Sequence, residues 1–213
     1  MVLREFCAEN FTDIKKTIRA GADRIELCDN LAVGGTTPSY GVIRYAIEFC
    51  KDKSVSIMTM IRPRGGDFVY TSDEIEIMKQ DIKMAKEIKT DGVVFGCLTS
   101  QKRIDRENMK ELLTLSTGCE VTFHMAFDQI PVKYQLEELD WLIEQKVTRV
   151  LTHGGLSGTL QDNSEIINKL IEHAAGRIEI LPGGGVTYQN VSQLAHIIPA
   201  SQFHGTKIVD FSN

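Results

Sequence analysis

The sequence predicts a closed ring of eight parallel strands with helices outside it, a (β/α)8 barrel formed by one domain over residues 1–213. Three observations predict it. Short apolar runs alternate with segments of helical periodicity along the whole chain. The count of such runs is eight, enough to close a ring; the alternative is an open, doubly wound sheet. Loops rich in glycine or proline follow several of the runs, at Gly34-Gly35, Pro63 to Gly66 and Pro182 to Gly185. In α/β folds such loops gather at the carboxyl ends of the strands, where ligands are handled.

The elements follow in order. Leu3 to Cys7 is a short strand. Asn10 is placed to cap a helix from Phe11 to Ala20, which Gly21 ends. Arg24 to Cys28 is the second strand, and Thr37-Pro38 opens a helix to about Phe49. Ser54 to Arg62 is the third strand. Thr71 and Glu74 form a capping box for a long helix to about Lys89. Gly92 to Cys97 and Cys119 to Met125 are the fourth and fifth strands, with helices over Asp105 to Leu115 and Pro131 to Gln145. Thr148 to His153 precedes a helix from Asn163 to Ala174. Arg177 to Leu181 precedes one from Thr187 to Ile198. Gln202 to Thr206 is the eighth strand. Seven residues follow it, too few for an eighth helix of normal length, so the eighth helix is expected to be short or absent. A short tail or a second copy of the chain would then cover that wall, which points to a homo-oligomer.

Composition narrows the function. A formal charge of −5 and a pI near 5.6 argue against nucleic acid or an anionic membrane as partner. No apolar run is long enough to span a membrane, and charge comes too early at Arg4 and Glu5 for a signal peptide. Five cysteines, 7, 28, 50, 97 and 119, are odd in number and form no CxxC pair. Free thiols in a reducing, cytoplasmic setting are the natural reading. No GxGxxG follows the first strand, which argues against a nucleotide cofactor of the nicotinamide type.

Strand alternation nominates the interior. Glu5 and Cys7 share one face of the first strand, and Glu26 and Cys28 one face of the second. The opposite faces, with Phe6, Ile25 and Leu27, pack on helices. Met58, Met60 and Arg62 face inward on the third strand, and Thr122 and His124 on the fifth. Buried carboxylates need partners, and Arg62 and His124 are the candidates for Glu5 and Glu26. Cys7 and Cys28, on neighbouring strand ends, would be soft ligands for Cu(I), with Met60 nearby. A satisfied polar plug is the structural alternative.

A second set points to an anion. Arg62, Arg64 and Asp67 lie in one strand-to-helix loop, with the forked cations suited to carboxylate or phosphate and Asp67 to orient one of them. A plain salt bridge to Asp67 is the alternative there. Gly183, Gly184 and Gly185 would offer backbone N–H groups to phosphate, with Lys207 adding charge. In an enzyme, His124, Glu26 or Glu5 would be the general acid or base on a small anionic substrate. Lyase, isomerase and hydrolase chemistry all fit.

The motifs together resemble one known family. Gly21-Ala22-Asp23-Arg24-Ile25-Glu26-Leu27-Cys28, Gly34 to Gly41, Ile61 to Phe68, Val121-Thr122-Phe123-His124, Thr148 to Thr152 and Pro182 to Gly185 are similar to the CutC copper-homeostasis proteins over nearly the whole chain. The resemblance implies a TIM barrel, a cytoplasmic protein linked to copper handling, and Cys7 and Cys28 as the matching proposed Cu(I) ligands. Met125 stands where the family usually has arginine, and His153 where it usually has serine.

Overall fold

The computed structural model describes residues 2–210. Eight strands alternate with helices: β1 Leu3–Glu9, α1 Ile14–Arg19, β2 Arg24–Cys28, α2 Tyr40–Cys50, β3 Ser56–Met60, α3 Ser72–Glu87, β4 Gly92–Phe95 and α4 Arg106–Leu115. Then come β5 Glu120–Phe123, α5 Val132–Glu144, β6 Arg149–Thr152, α6 Ser164–Ala174, β7 Glu179–Pro182, α7 Val191–Ile197 and β8 Gln202–Gly205. All pairings are parallel, in the order β7-β6-β5-β4-β3-β2-β1-β8. Bridges from Gly183 to His204 and from Thr187 to Lys207 bring β7 and β8 together and nearly close the ring. The expected barrel is therefore the observed one.

Outward strand residues fill the space beneath the helices. Ile25, Leu27, Ile57, Phe95, Phe123, Val150 and Phe203 are fully buried in one continuous outer core, each such side chain contributing about 1.5–3 kcal/mol. The capping box on α3 is present, with Thr71 Oγ1 accepting from Glu74 N and the Glu74 carboxylate accepting from Thr71 N.

Several boundaries differ from expectation for local reasons. Asn10 does not cap a helix: its backbone is left-handed at φ 53° and its side chain donates to Asp29 Oδ1 at 2.9 Å, so α1 starts later. Ser39 rather than Thr37 caps α2, accepting from Val42 N. Strand β3 stops at Met60 because Arg62 N leaves the ladder for Thr37 Oγ1. Thr187 bridges to Lys207, and its N–H is taken by Asn190 Oδ1, so α7 begins only at Val191. Among the described residues β8 is followed by no helix. Its outward Phe203 is nevertheless fully buried, with Ile208 and Val209 buried just beyond it, so the wall is covered within one chain.

Candidate functional site

The interior floor is built on a chain of three charged side chains. Register pairs Glu5 of β1 with Arg24 of β2 on one side and with His204 of β8 on the other. Arg24 Nε donates to Glu5 Oε2, and its Nη2 donates to Gln202 Oε1. His204 Nδ1 lies 2.8 Å from Glu5 Oε1. All three residues are buried. Arg24 and His204, not Arg62 and His124, are thus the partners of Glu5; Glu26 likewise has His204 beside it.

Above this floor sit the thiols. Cys7 Sγ is 3.3 Å and Cys28 Sγ 3.5 Å from the same oxygen, Glu26 Oε2. Met58, Met60 and Val94 pack with the two cysteines in an inner cluster separate from the outer core. Gly35 backs Cys28: a Cβ there would lie 3.2 Å from Cys28 Sγ, and the backbone is at φ +86°. His204 Nε2 approaches Glu26 Oε2 to 3.7 Å. The register step that pairs Cys7 with Glu26 and Glu9 with Cys28 sets Cys28 one level higher than Cys7. The two cysteines are adjacent, as alternation and strand order predict.

Electrostatics divide the protons among these groups. Burial would raise the Glu5 pKa, but the His204 hydrogen bond and the Arg24 and His204 charges bring it down to about 2. The Cys28 hydrogen bond, together with His204, holds Cys7 well below the usual thiol range against the effect of burial. Cys28 is pushed up by that same bond and by burial. Burial pushes Glu26 well up. Burial opposes charge on His204, yet the neighbouring Glu26, Cys7 and Glu5 raise its pKa. The directions favour proton loss from Cys7 and proton retention on Glu26, Cys28 and His204.

The arginine loop is organised differently from an open anion cradle. Arg62 is 3% exposed. Its Nη1 donates to the carbonyls of Val33 at 2.8 Å and Gly35 at 2.9 Å, and its Nη2 to that of Gly66 at 2.8 Å. Three loop carbonyls therefore occupy the fork, and the Phe68 ring covers its face at 4.8 Å. Arg64 pairs with Glu74 at 2.5 Å and Asp67 at 3.0 Å, so the salt-bridge alternative describes Asp67. His124 Nδ1 accepts from Ala126 N at 3.3 Å, which leaves the proton on Nε2, an atom without a partner. Burial and the Arg62 charge lower its pKa to about 3. Its ring lies tilted against that of Phe68, with centroids 4.8 Å apart, and it makes no hydrogen bond to Glu5 or Glu26.

The glycine loop borders a cleft of ≈ 350 Å³ lined by Gly184, Gly185, Thr159, Gln161, Asn190 and His153, among others. A Cβ on Gly184, at φ +96°, would meet His153 Nδ1 at 2.5 Å. Gly183 does not line this cleft; its carbonyl faces His153 Nδ1 at 3.0 Å.

Residues 2–209 match the model of the CutC family. The chain belongs to the CutC family. A curated relative from Enterococcus faecalis, called family protein CutC, is 50% identical over 98% of this chain and 100% of its own length. The human protein named copper homeostasis protein cutC homolog is 42% identical over 95% of this chain and 72% of its own length. The crystal structure of CutC from Streptococcus agalactiae superposes with a TM-score of 0.95 at 48% identity, covering 98% of this chain and all of that one. An aldolase structure at 12% identity and TM-score 0.65 shares the fold alone.

In this CutC chain, His153 ties two loops together. Its Nδ1 faces Gly183 O at 3.0 Å and its Nε2 faces Gly158 O at 3.1 Å. The site residues that sequence reasoning missed are Arg24 and His204. The signal was present: the alternation that turns Glu26 and Cys28 inward also turns Arg24 inward, and on β8 it does the same for Gln202 and His204.

Proposed function

We propose that this protein serves copper homeostasis by binding Cu(I) as cargo between Cys7 and Cys28 at the barrel mouth. The observation that carries the reading is the side-by-side placement of two buried thiols over Met58 and Met60, apart from the outer core. Thiolates and thioethers are soft donors that favour Cu(I) over hard ions. The lowered pKa of Cys7 favours its metal-binding form. The copper homeostasis names of the human and mouse relatives support the choice of ion. A cytoplasmic setting, reducing enough to keep all five cysteines free, belongs to the same reading. So does association of copies: Val132 and Leu136 stand exposed one turn apart on α5, and sedimentation velocity tests it.

Anaerobic titration with Cu(I) against a competing chelator tests the proposal. One tightly held ion per chain is the expected result, lost in the Cys7→Ser/Cys28→Ser variant. Equal affinity in that variant would refute the cysteine site.

A second reading, an enzyme acting on a small anionic substrate, draws on the cleft beside Gly184 and Gly185. A thermal-shift screen of phosphorylated and carboxylated metabolites tests it, and the absence of any stabilised complex would count against it.

A further inference from the structure

The Cu(I) reading leaves one nearby donor unassigned, and the inference here rests on that reading. His204 is anchored through one ring nitrogen. Nδ1 lies 2.8 Å from Glu5 Oε1, and Glu5 is itself gripped by Arg24. An imidazole held on a carboxylate through one nitrogen presents the other in a set direction, the arrangement that orients metal-binding histidines. The other nitrogen, Nε2, is 3.7 Å from Glu26 Oε2, beyond hydrogen-bond length, and the ring adjoins Cys7. One donor atom from each of Cys7, Glu26 and His204 falls within 4.8 Å of the other two. Cys28 Sγ is 3.5 Å from the Glu26 oxygen that these atoms surround.

A second observation concerns the polar lining itself. Glu26 is 2% exposed, yet its Oε1 has no hydrogen-bond partner. Buried carboxylate oxygens are almost always bonded, because leaving one bare costs free energy. The unpartnered oxygen belongs to the same carboxyl that the two thiols and the imidazole approach.

We propose that His204 is the third ligand of the Cu(I) held by Cys7 and Cys28, binding through Nε2 with release of that nitrogen's proton to solvent, and with Glu5 and Arg24 as the residues that position its ring. Imidazole is a competent ligand for copper, and two sulfurs with one nitrogen keep the coordination number low. Glu26 stands beside both sulfurs as the carboxyl that completes the polar lining.

The test is copper K-edge X-ray absorption on the whole chain loaded anaerobically with Cu(I). The expected wild-type spectrum contains two sulfur neighbours, one nitrogen neighbour and the outer-shell scattering of an imidazole ring. His204→Gln should lose the nitrogen and ring features, revert to two-sulfur coordination and bind Cu(I) roughly 10–100-fold more weakly. Because His204→Gln leaves Glu5 with one partner fewer, the Glu5→Gln/His204→Gln variant is measured alongside it, with circular dichroism on both. A wild-type spectrum with two sulfurs and no nitrogen overturns the assignment of His204 while leaving the cysteine site intact. Unchanged affinity and spectrum in a folded His204→Gln protein would do the same. Failure of the wild type to take up Cu(I) at all removes the cysteine site and the third ligand together.

Discussion

Replacing Arg24 with methionine probes the floor on which the site rests. Arg24 is 4% exposed and Glu5 1%, so the variant strands a carboxylate inside the barrel with His204 as its remaining cation. Removing one member of a buried ion pair typically costs about 3–5 kcal/mol. Holding the Glu5 carboxyl at about 2 instead of 4.5 corresponds to roughly 3 kcal/mol of stability from its ionised form, shared between His204 and Arg24. For a carboxyl with a depressed folded-state pKa, that stability is present above the unfolded value and fades as pH falls through about 2. The wild type should therefore lead the Arg24→Met variant by about 3–5 kcal/mol at neutral pH. The lead should narrow as pH falls towards about 2, because the uncompensated Glu5 of the variant takes up a proton at higher pH than the wild-type carboxyl does. Urea denaturation followed by circular dichroism at several pH values measures both quantities. Adding Glu5→Gln to Arg24→Met should restore part of the loss, since the uncompensated charge is then gone. A cost under about 1 kcal/mol, or a lead that does not change with pH, would refute the claim that Glu5 is ionised and held by Arg24.

Three more expectations follow from single residues. Arg62→Met should lower stability by about 3 kcal/mol or more in chemical denaturation, because three loop carbonyls lose a charged donor; unchanged stability would reopen Arg62 as a free anion binder. Gly35→Ala should destabilise by at least about 1 kcal/mol and alter the reaction of Cys28 with a thiol reagent, since the new methyl presses on its sulfur from a left-handed backbone. His124, with its pKa lowered to about 3, should show no imidazole titration between pH 5 and 8 in NMR spectra of the folded protein. The unfolded chain binds that proton near pH 6.5, so His124 makes stability fall as pH drops below about 6.5 and down towards 3.

The barrel was legible because its signals are local and repeated. Each of the first seven strands is short and followed by a helix, and Thr71 with Glu74 shows how directly a helix-start signal converts into hydrogen bonds. Boundaries differ where a side chain has a competing partner, distant or local. Asn10 gives its amide to Asp29 rather than to a helix, and Asn190 accepts from Thr187 and shortens α7. That no helix follows β8 among the described residues agrees with expectation, but the burial of Phe203 was not legible: it depends on how neighbouring elements close over β8.

The site divides in the same way. Cys7 and Cys28 could be placed together because two facts suffice, alternation within a strand and adjacency of β1 to β2. The partner of Glu5 needed a third fact, the register, and register is set by the whole ring. It pairs Glu5 with Arg24 on one side and with His204, which is 199 residues away in sequence, on the other. Arg62 and His124 were chosen instead because they carry the right chemistry on inward faces of nearby strands. Their positions at the upper ends of those strands give them to loops: Arg62 to the carbonyls of Val33, Gly35 and Gly66, His124 to Ala126 N. Height within the barrel therefore decides function here. Glu5, Arg24 and His204, low in the barrel, find their partners among interior side chains, whereas the same chemistry at the rim is absorbed in holding the loops. Two adjacent thiols with supporting charges beneath them follow from that layering, and the proposed copper site stands or falls on Cys7 and Cys28.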